Sequence, residues 1–261
     1  MTSREFGAEL AELVCRLSDT QILTWCDVLD QAAGPEPAVV ERLIAREPGT
    51  EASTAAHRLV TSWRRHVPGL SGAAVTLALS AAAAVQRRTD HDRPRLVVSG
   101  PVSSTLPVRL TGAVVGEIVS RATRRLLVVS FAAYRIEEVV RQLLAAAHRG
   151  VRVDLVVETS TDVGGALRGP GGVEAFTALR DAATFWHWPA AHRTGTSSLH
   201  AKIVVADGEV ALLGSANLTN RGLSDNIEIG VLSHDRVFSG MLEQHFRALM
   251  RPEAHCFSRL V

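Results

Sequence analysis

Hydrophobic positions change their rhythm partway along the chain. Up to about residue 88, apolar residues recur at three- and four-residue steps, as in FGAELAELVCRL, the spacing of one buried helix face, with almost no strand-like alternation. Ser18 and Asp19 precede TQILTWCDVL as a helix start, and GPEP at 34–37 ends one helix and supplies a proline to open the next. The uncharged, alanine-rich run GLSGAAVTLALSAAAAV, residues 69–85, is short for a membrane span and reads as a buried helix. RRTDHDRPR, residues 87–95, has the polar, proline-bearing composition of a linker. This predicts a small all-α domain over 1–90 and a second domain over 95–261.

In the second domain short Val/Leu runs alternate with amphipathic stretches: RLVVSG, then TGAVVGEIVSRAT, RRLLVVSF, RIEEVVRQLLAAAHRG and VRVDLVVE. Continuous apolar strands separated by helices predict an α/β fold whose strands are covered on both faces. The strand ends carry neither GxGxxG nor GxxxxGK[ST], which sets nucleotide-binding folds aside.

Charge narrows the choice of partner. Lys and Arg total 28 against 27 Asp and Glu, a net charge of +1, so any phosphate-binding surface must be local. Cys15, Cys26 and Cys256 form no CxxC pair and no zinc-like spacing with histidine, so a reducing cytoplasm, no metal and no cofactor are expected. MTSREFGAEL lacks a signal-peptide pattern, and no membrane segment is expected.

The chemistry concentrates in SSLHAKIVVADGEVALLGSANLTNRG, residues 197–222, which holds Lys202, the only lysine of the chain. An arginine-preferring composition that keeps one lysine points to a site where a compact ammonium suits better than a planar fork. On a strand, His200 and Lys202 share a face. Asp207-Gly208 reads as a hairpin turn, EVALL returns as the next strand, and Ser215 and Asn217 come back toward His200. In DNIEIGVL, Asn226 and Glu228 fall on one face and Ile227 and Ile229 on the other. An imidazole, an ammonium, a hydroxyl, an amide and a carboxylate together suit phosphoryl transfer. Singly, each residue has an ordinary structural explanation, and Asp207 before glycine is what any hairpin turn selects.

The spacing HxKxxxxDxxxxxxGSxxN resembles the HKD motif of the phospholipase D superfamily, with His200, Lys202, Asp207, Gly214, Ser215 and Asn217 in register and Glu228 where the family carries an acidic residue. The resemblance implies an α/β/α sandwich core over 95–261. It also implies a metal-independent phosphodiesterase in which His200 attacks the phosphodiester, Lys202, Ser215 and Asn217 bind the phosphate, and Glu228 orients the histidine. Asp207 belongs to the motif, with a role that is often structural. Two motifs make one centre in this family. The nearest second patterns, His91-Asp92-Arg93 and His234-Asp235-Arg236, have Val98 and Met241 where the aspartate should stand. A homodimer with one composite site is therefore implied. The helical module joined to a single core is also similar to the phospholipase-D-like proteins of bacterial DISARM anti-phage systems.

For substrate, nucleic acid is the leading expectation. The clusters SWRRH, RRTDHDRPR and RATRR could track a phosphate backbone, and FWHW at 185–188 could stack on bases, although charge runs usually solvate a face and aromatic residues usually pack a core. Phospholipid hydrolysis is the alternative. A third reading makes the chain a docking component whose residues 1–90 bind partner proteins.

Overall fold

The computed structural model describes residues 2–161, 165–168 and 172–260. The chain divides into two compact units, Met1–His91 and Asp92–Val261.

The first unit is built from helices α1 (Thr2–Val14), α2 (Asp19–Asp30), α3 (Pro37–Arg46), α4 (Thr50–His66) and α5 (Gly72–Asp92). Ser18 caps α2 in a reciprocal capping box with Gln21, which satisfies two otherwise orphaned groups of the first turn. Pro37 opens α3, where its missing N–H costs nothing. The core forms around Trp25, Trp63, Leu43 and Leu79, all fully buried. Gly72 is required where α5 starts, because a Cβ there would lie 1.8 Å from the carbonyl oxygen of Leu29.

Two expectations are refined in α5. The run at 69–85 buries only a stripe, Gly72, Val75, Leu79 and Ala83, and exposes Leu77 and Val85. RRTDHDRPR contains the division between the two units, but it is helical as far as Asp92 rather than an irregular connection, with mostly exposed side chains and Pro94 as the first stop signal.

The second unit carries, among the described residues, a nine-stranded mixed sheet. In chain order its elements are β1 (Arg95–Ser99), β2 (Arg109–Leu110), α6 (Thr111–Arg121), β3 (Arg125–Ser130), β4 (Ala133–Tyr134), α7 (Glu137–His148), β5 (Arg152–Val157), β6 (Ala183–His187), β7 (Ile203–Ala206), β8 (Val210–Gly214), β9 (Leu218–Thr219), β10 (Glu228–Ser233), α8 (Arg236–Leu249) and β11 (Ser258–Arg259). Across the sheet the order is β11-β6-β5-β3-β7-β8-β10-β1-β2, while β4 and β9 pair separately. β3, β5 and β6 run parallel, and β7, β8, β10 and β1 continue antiparallel.

Helices α6 and α7 bury one face, where Val114, Ile118 and Leu143 pack on Leu126, Val128, Leu155 and Val204. Phe246 of α8 and nearby Met250 pack on the other, against Leu127, Val129, Val205 and Ala211. The expected double cover is incomplete. Ile229 and Val231 on β10 and Leu96, the partner of Val231 on β1, remain exposed, as do Ile227 just before β10 and Val237 and Met241 of α8.

Candidate active site

The carboxyl ends of β1, β3, β5 and β8 and the starts of β7 and β10 meet at one end of the sheet, where strand ends leave backbone groups and side chains free to converge. His200 and Lys202 lie just before β7 rather than inside it, with His200 exposed and Lys202 buried. Lys202 Nζ stands 2.9 Å from His200 Nδ1 and donates to the His200 carbonyl at 2.7 Å. Burial pushes the Lys202 ammonium below its ordinary pKa, and the charge of Glu228 partly opposes that shift. The Phe131 ring, at the end of β3, lies 5.0 Å from the His200 ring and 5.7 Å from Lys202 Nζ, walling the pair on one side.

The GSxxN segment is tied to the same place by close backbone approach. A Cβ on Gly214 would come within 2.7 Å of both the Gly230 Cα and the Ile229 carbonyl oxygen, so only glycine lets β8 and β10 run this close. Ser215 Oγ then donates to Glu228 and accepts from the Ile229 N–H at 3.2 Å. Asn226 Nδ2 donates to the other Glu228 oxygen at 3.3 Å. Asn217 Oδ1 accepts from the Ala132 N–H at 3.4 Å, and the Leu218 N–H donates to Ser130 Oγ at 3.1 Å, which docks the segment on the end of β3.

Two sequence expectations change. Glu228 makes its hydrogen bonds with Ser215 and Asn226, and the histidine nitrogen it was to orient faces Lys202 instead. Asp207 lies outside the cluster. The four residues of β7 separate it from Lys202, five steps or about 16 Å at the usual rise. There it occupies a turn with positive φ at both Asp207 and Gly208, the signs a type I′ turn requires. Its carboxylate accepts from the N–H groups of Thr123, Arg124 and Arg125 and from the Thr123 hydroxyl, at 2.8–2.9 Å. Burial alone would raise its pKa, but these hydrogen bonds outweigh it and hold the carboxyl below its ordinary value.

Two of the features expected to track substrate, RATRR and FWHW, make contacts within the protein. In RATRR, Arg121 pairs with Glu117, Arg124 with Glu209 and Arg125 with Glu243, all at the Asp207 end of the sheet. Phe185 is buried, Trp186 lies under Arg259 and donates to Asp154, and Trp188 lies under Arg193. Sequence reasoning missed Phe131, Ser130 and the pair Tyr134 and Arg135. Tyr134 is exposed, with the Arg135 guanidinium 5.2 Å over its ring, and Arg135 takes a left-handed φ of 53°. Their position at or just past the carboxyl end of β3 was the available signal.

A family profile described as cardiolipin synthase, PLD-like domain, matches residues 116–250. The chain belongs to the phospholipase-D-like family. Among curated relatives of this phospholipase-D-like chain, DISARM protein DrmC of Bacillus paralicheniformis is 30% identical over 137 residues, 52% of this chain and 55% of that protein. Cardiolipin synthase A of Pseudomonas entomophila is 32% identical over 128 residues, 49% of this chain and 25% of that protein. The match thus spans about half of one relative and a quarter of the other. Among solved structures, the phospholipase D family member Nuc from Salmonella typhimurium aligns with a TM-score of 0.47 at 17% identity, covering 64% of this chain and 99% of that one. No described helix is long and apolar enough to cross a membrane.

Proposed function

We propose that this phospholipase-D-like chain is a metal-independent phosphodiesterase acting on nucleic acid through a phosphohistidine. His200 attacks phosphorus, a P–N bond forms as the P–O bond to the leaving group breaks, and a second imidazole protonates the leaving oxygen. Water, deprotonated by that imidazole, then hydrolyses the phosphohistidine. Lys202 and the Ser215 and Asn217 side chains hold the phosphate oxygens. Glu228 positions Ser215 and keeps the Lys202 ammonium charged.

The observation that carries this reading is the contact of a buried lysine with an exposed histidine, Nζ to Nδ1 at 2.9 Å. While Lys202 donates there, neutral His200 carries its hydrogen on Nε2. A phosphate that draws the ammonium to its own oxygens releases Nδ1 to take the proton, and Nε2 gains the lone pair needed for attack. Binding and activation become one event.

Nucleic acid is favoured over phospholipid by the exposed Tyr134 with Arg135 beside it. Tyr134 is cross-strand from Thr219 and two residues past the Ala132 contact of Asn217, so a base on Tyr134 leaves its phosphate near the motif. Similarity to DISARM protein DrmC supports a role in anti-phage defence; a cytoplasmic location, with residues 1–90 as a docking module, is proposed alongside it.

The second imidazole is proposed to come from a second copy. The chain has one motif histidine, and the exposed apolar face at Ile227 and Ile229, 80% and 60% accessible, lies on the opposite side of the same chain segment as Glu228. A homodimer that covers this face would bury exposed apolar surface, and a shared site requires that its twofold axis also bring the two motifs face to face.

The deciding assay is cleavage of labelled single-stranded DNA and RNA, with phosphatidylglycerol vesicles in parallel, all in EDTA. Nucleic-acid cleavage that persists in EDTA and is lost in His200→Ala is expected. Turnover of vesicles alone would make the substrate lipid, and activity only with added divalent metal would overturn the mechanism.

A further inference from the structure

Beside the motif lies a buried ion pair that the mechanism above does not use. Glu158, the residue after β5, is fully buried, and the Arg193 side chain is almost so. Glu158 Oε1 accepts from Arg193 Nη2 at 2.6 Å and from the N–H groups of Thr159 and Ala166. Its other oxygen, Oε2, accepts from the Leu199 N–H at 2.8 Å. Arg193 also donates through Nε to the Trp188 carbonyl at 2.8 Å and through Nη1 to the Ser197 carbonyl at 3.3 Å, with its guanidinium over the Trp188 ring.

Burying two charges gains little stability over a well-packed apolar pair, so stability alone does not account for them in the connection between β6 and β7. What the pair does geometrically is specific. It fastens the connection at Trp188, Ser197 and Leu199 to the end of β5, and Leu199 is the residue immediately before His200. On the other side of that histidine, its carbonyl is held by Lys202 Nζ at 2.7 Å. The His200 residue is thus tied at both ends while its ring stays exposed to substrate.

We propose that Glu158, braced by Arg193, is a positioning residue that fixes the His200 backbone, and through it the ring, at the orientation needed for in-line attack on phosphorus. This rests on the reading of His200 as nucleophile. Substrate binding through Lys202, Ser215 and Asn217 is independent of the pair, so its loss should lower kcat and leave KM in place.

The test removes the hydrogen bond without disturbing the ion pair: semisynthesis replaces the Leu199 peptide N–H by an ester oxygen in the full chain, with Glu158→Gln as a second variant. For the ester, kcat on labelled DNA is expected to fall on the order of ten- to a hundredfold at unchanged KM. In ¹⁵N spectra of the histidine rings, assigned by comparison with His200→Ala, the His200 ring should change from one tautomer in one orientation to an exchange-averaged signal. A wild-type kcat together with an unchanged ring signal in the ester variant overturns the proposal, as does a fall in KM affinity at constant kcat. If the unaltered protein cleaves no phosphodiester, the catalytic reading fails, and the ring signal alone decides whether Glu158 orients His200.

Discussion

Replacing Asp207 by alanine separates the two ends of the motif. The substitution removes the acceptor for three backbone N–H groups and one hydroxyl. Hydrogen bonds to a charged acceptor contribute about 1.5–3 kcal/mol each, but Asp207 is only half-buried and water recovers part of the loss, so a net cost of about 2–3 kcal/mol is expected. Alanine at a φ of 57° adds left-handed strain, about 1 kcal/mol. The total, about 3–4 kcal/mol, lowers the melting temperature of a domain this size by roughly 10 °C. Asn keeps the left-handed tolerance and one oxygen, so Asp207→Asn should lose less than half as much. Acid dependence gives a second reading. Because the folded carboxyl is held below its unfolded value, its stabilisation is fully present above about pH 4 and disappears as pH falls through the lower folded pKa. Asp207→Asn should therefore flatten the loss of stability below about pH 4. Scanning calorimetry at pH 7 and pH 3, with turnover measured well below the melting transition, checks all of this. The structural assignment is refuted if Asp207→Ala melts with the wild type yet loses turnover.

In mixtures of wild-type and His200→Ala chains, activity should fall toward the square of the wild-type fraction, since every mixed dimer lacks one imidazole; a linear fall under proven subunit exchange rules out the shared site. Lys202→Arg should reduce kcat by at least tenfold, because the space beneath Lys202 is a cavity of only about 20 Å³ lined by Val115, Val204 and Leu212; wild-type rates would remove the explanation for the lone lysine. The alkaline limb of kcat/KM should lie below the pKa of an ordinary lysine, about 10.4, and Glu228→Gln should move it lower still, since Glu228 favours the charged ammonium; a limb unmoved by the substitution would disconnect the two residues.

Much of the fold was legible because its signals are local. The Ser18 capping box, Pro37 and the Val-rich runs of β3 and β5 need no distant partner to be recognised. The HxK and GSxxN groups were readable for a related reason: β7 and β8 form a hairpin, so register alone returns Gly214 to Lys202, whose carbonyl accepts the Gly214 N–H at 3.2 Å. What escaped depends on contacts between remote segments. Nothing near Glu158 announces that Arg193 and Leu199 will reach it, and nothing in RATRR announces that its three arginines face Glu117, Glu209 and Glu243. The helix through RRTDHD was lost because charge composition resembles a linker when the following stop, Pro94, is taken as part of it.

Strand β10 gives the molecule a single point of failure. Its alternation directs Glu228 to the Ser215 side and leaves Ile229 on the bare side, and a strand has no intermediate setting: sliding by one residue exchanges every side chain between faces. Such a slip would swing an isoleucine toward Ser215 and a carboxylate onto the apolar face, disturbing both sides of the strand together. The Gly214–Gly230 pairing resists it, because a Cβ at the position opposite Gly214 would stand only 3.1 Å from the Leu213 carbonyl oxygen. The register of this one strand therefore sets both which side chains reach the motif and which stay on the exposed apolar face.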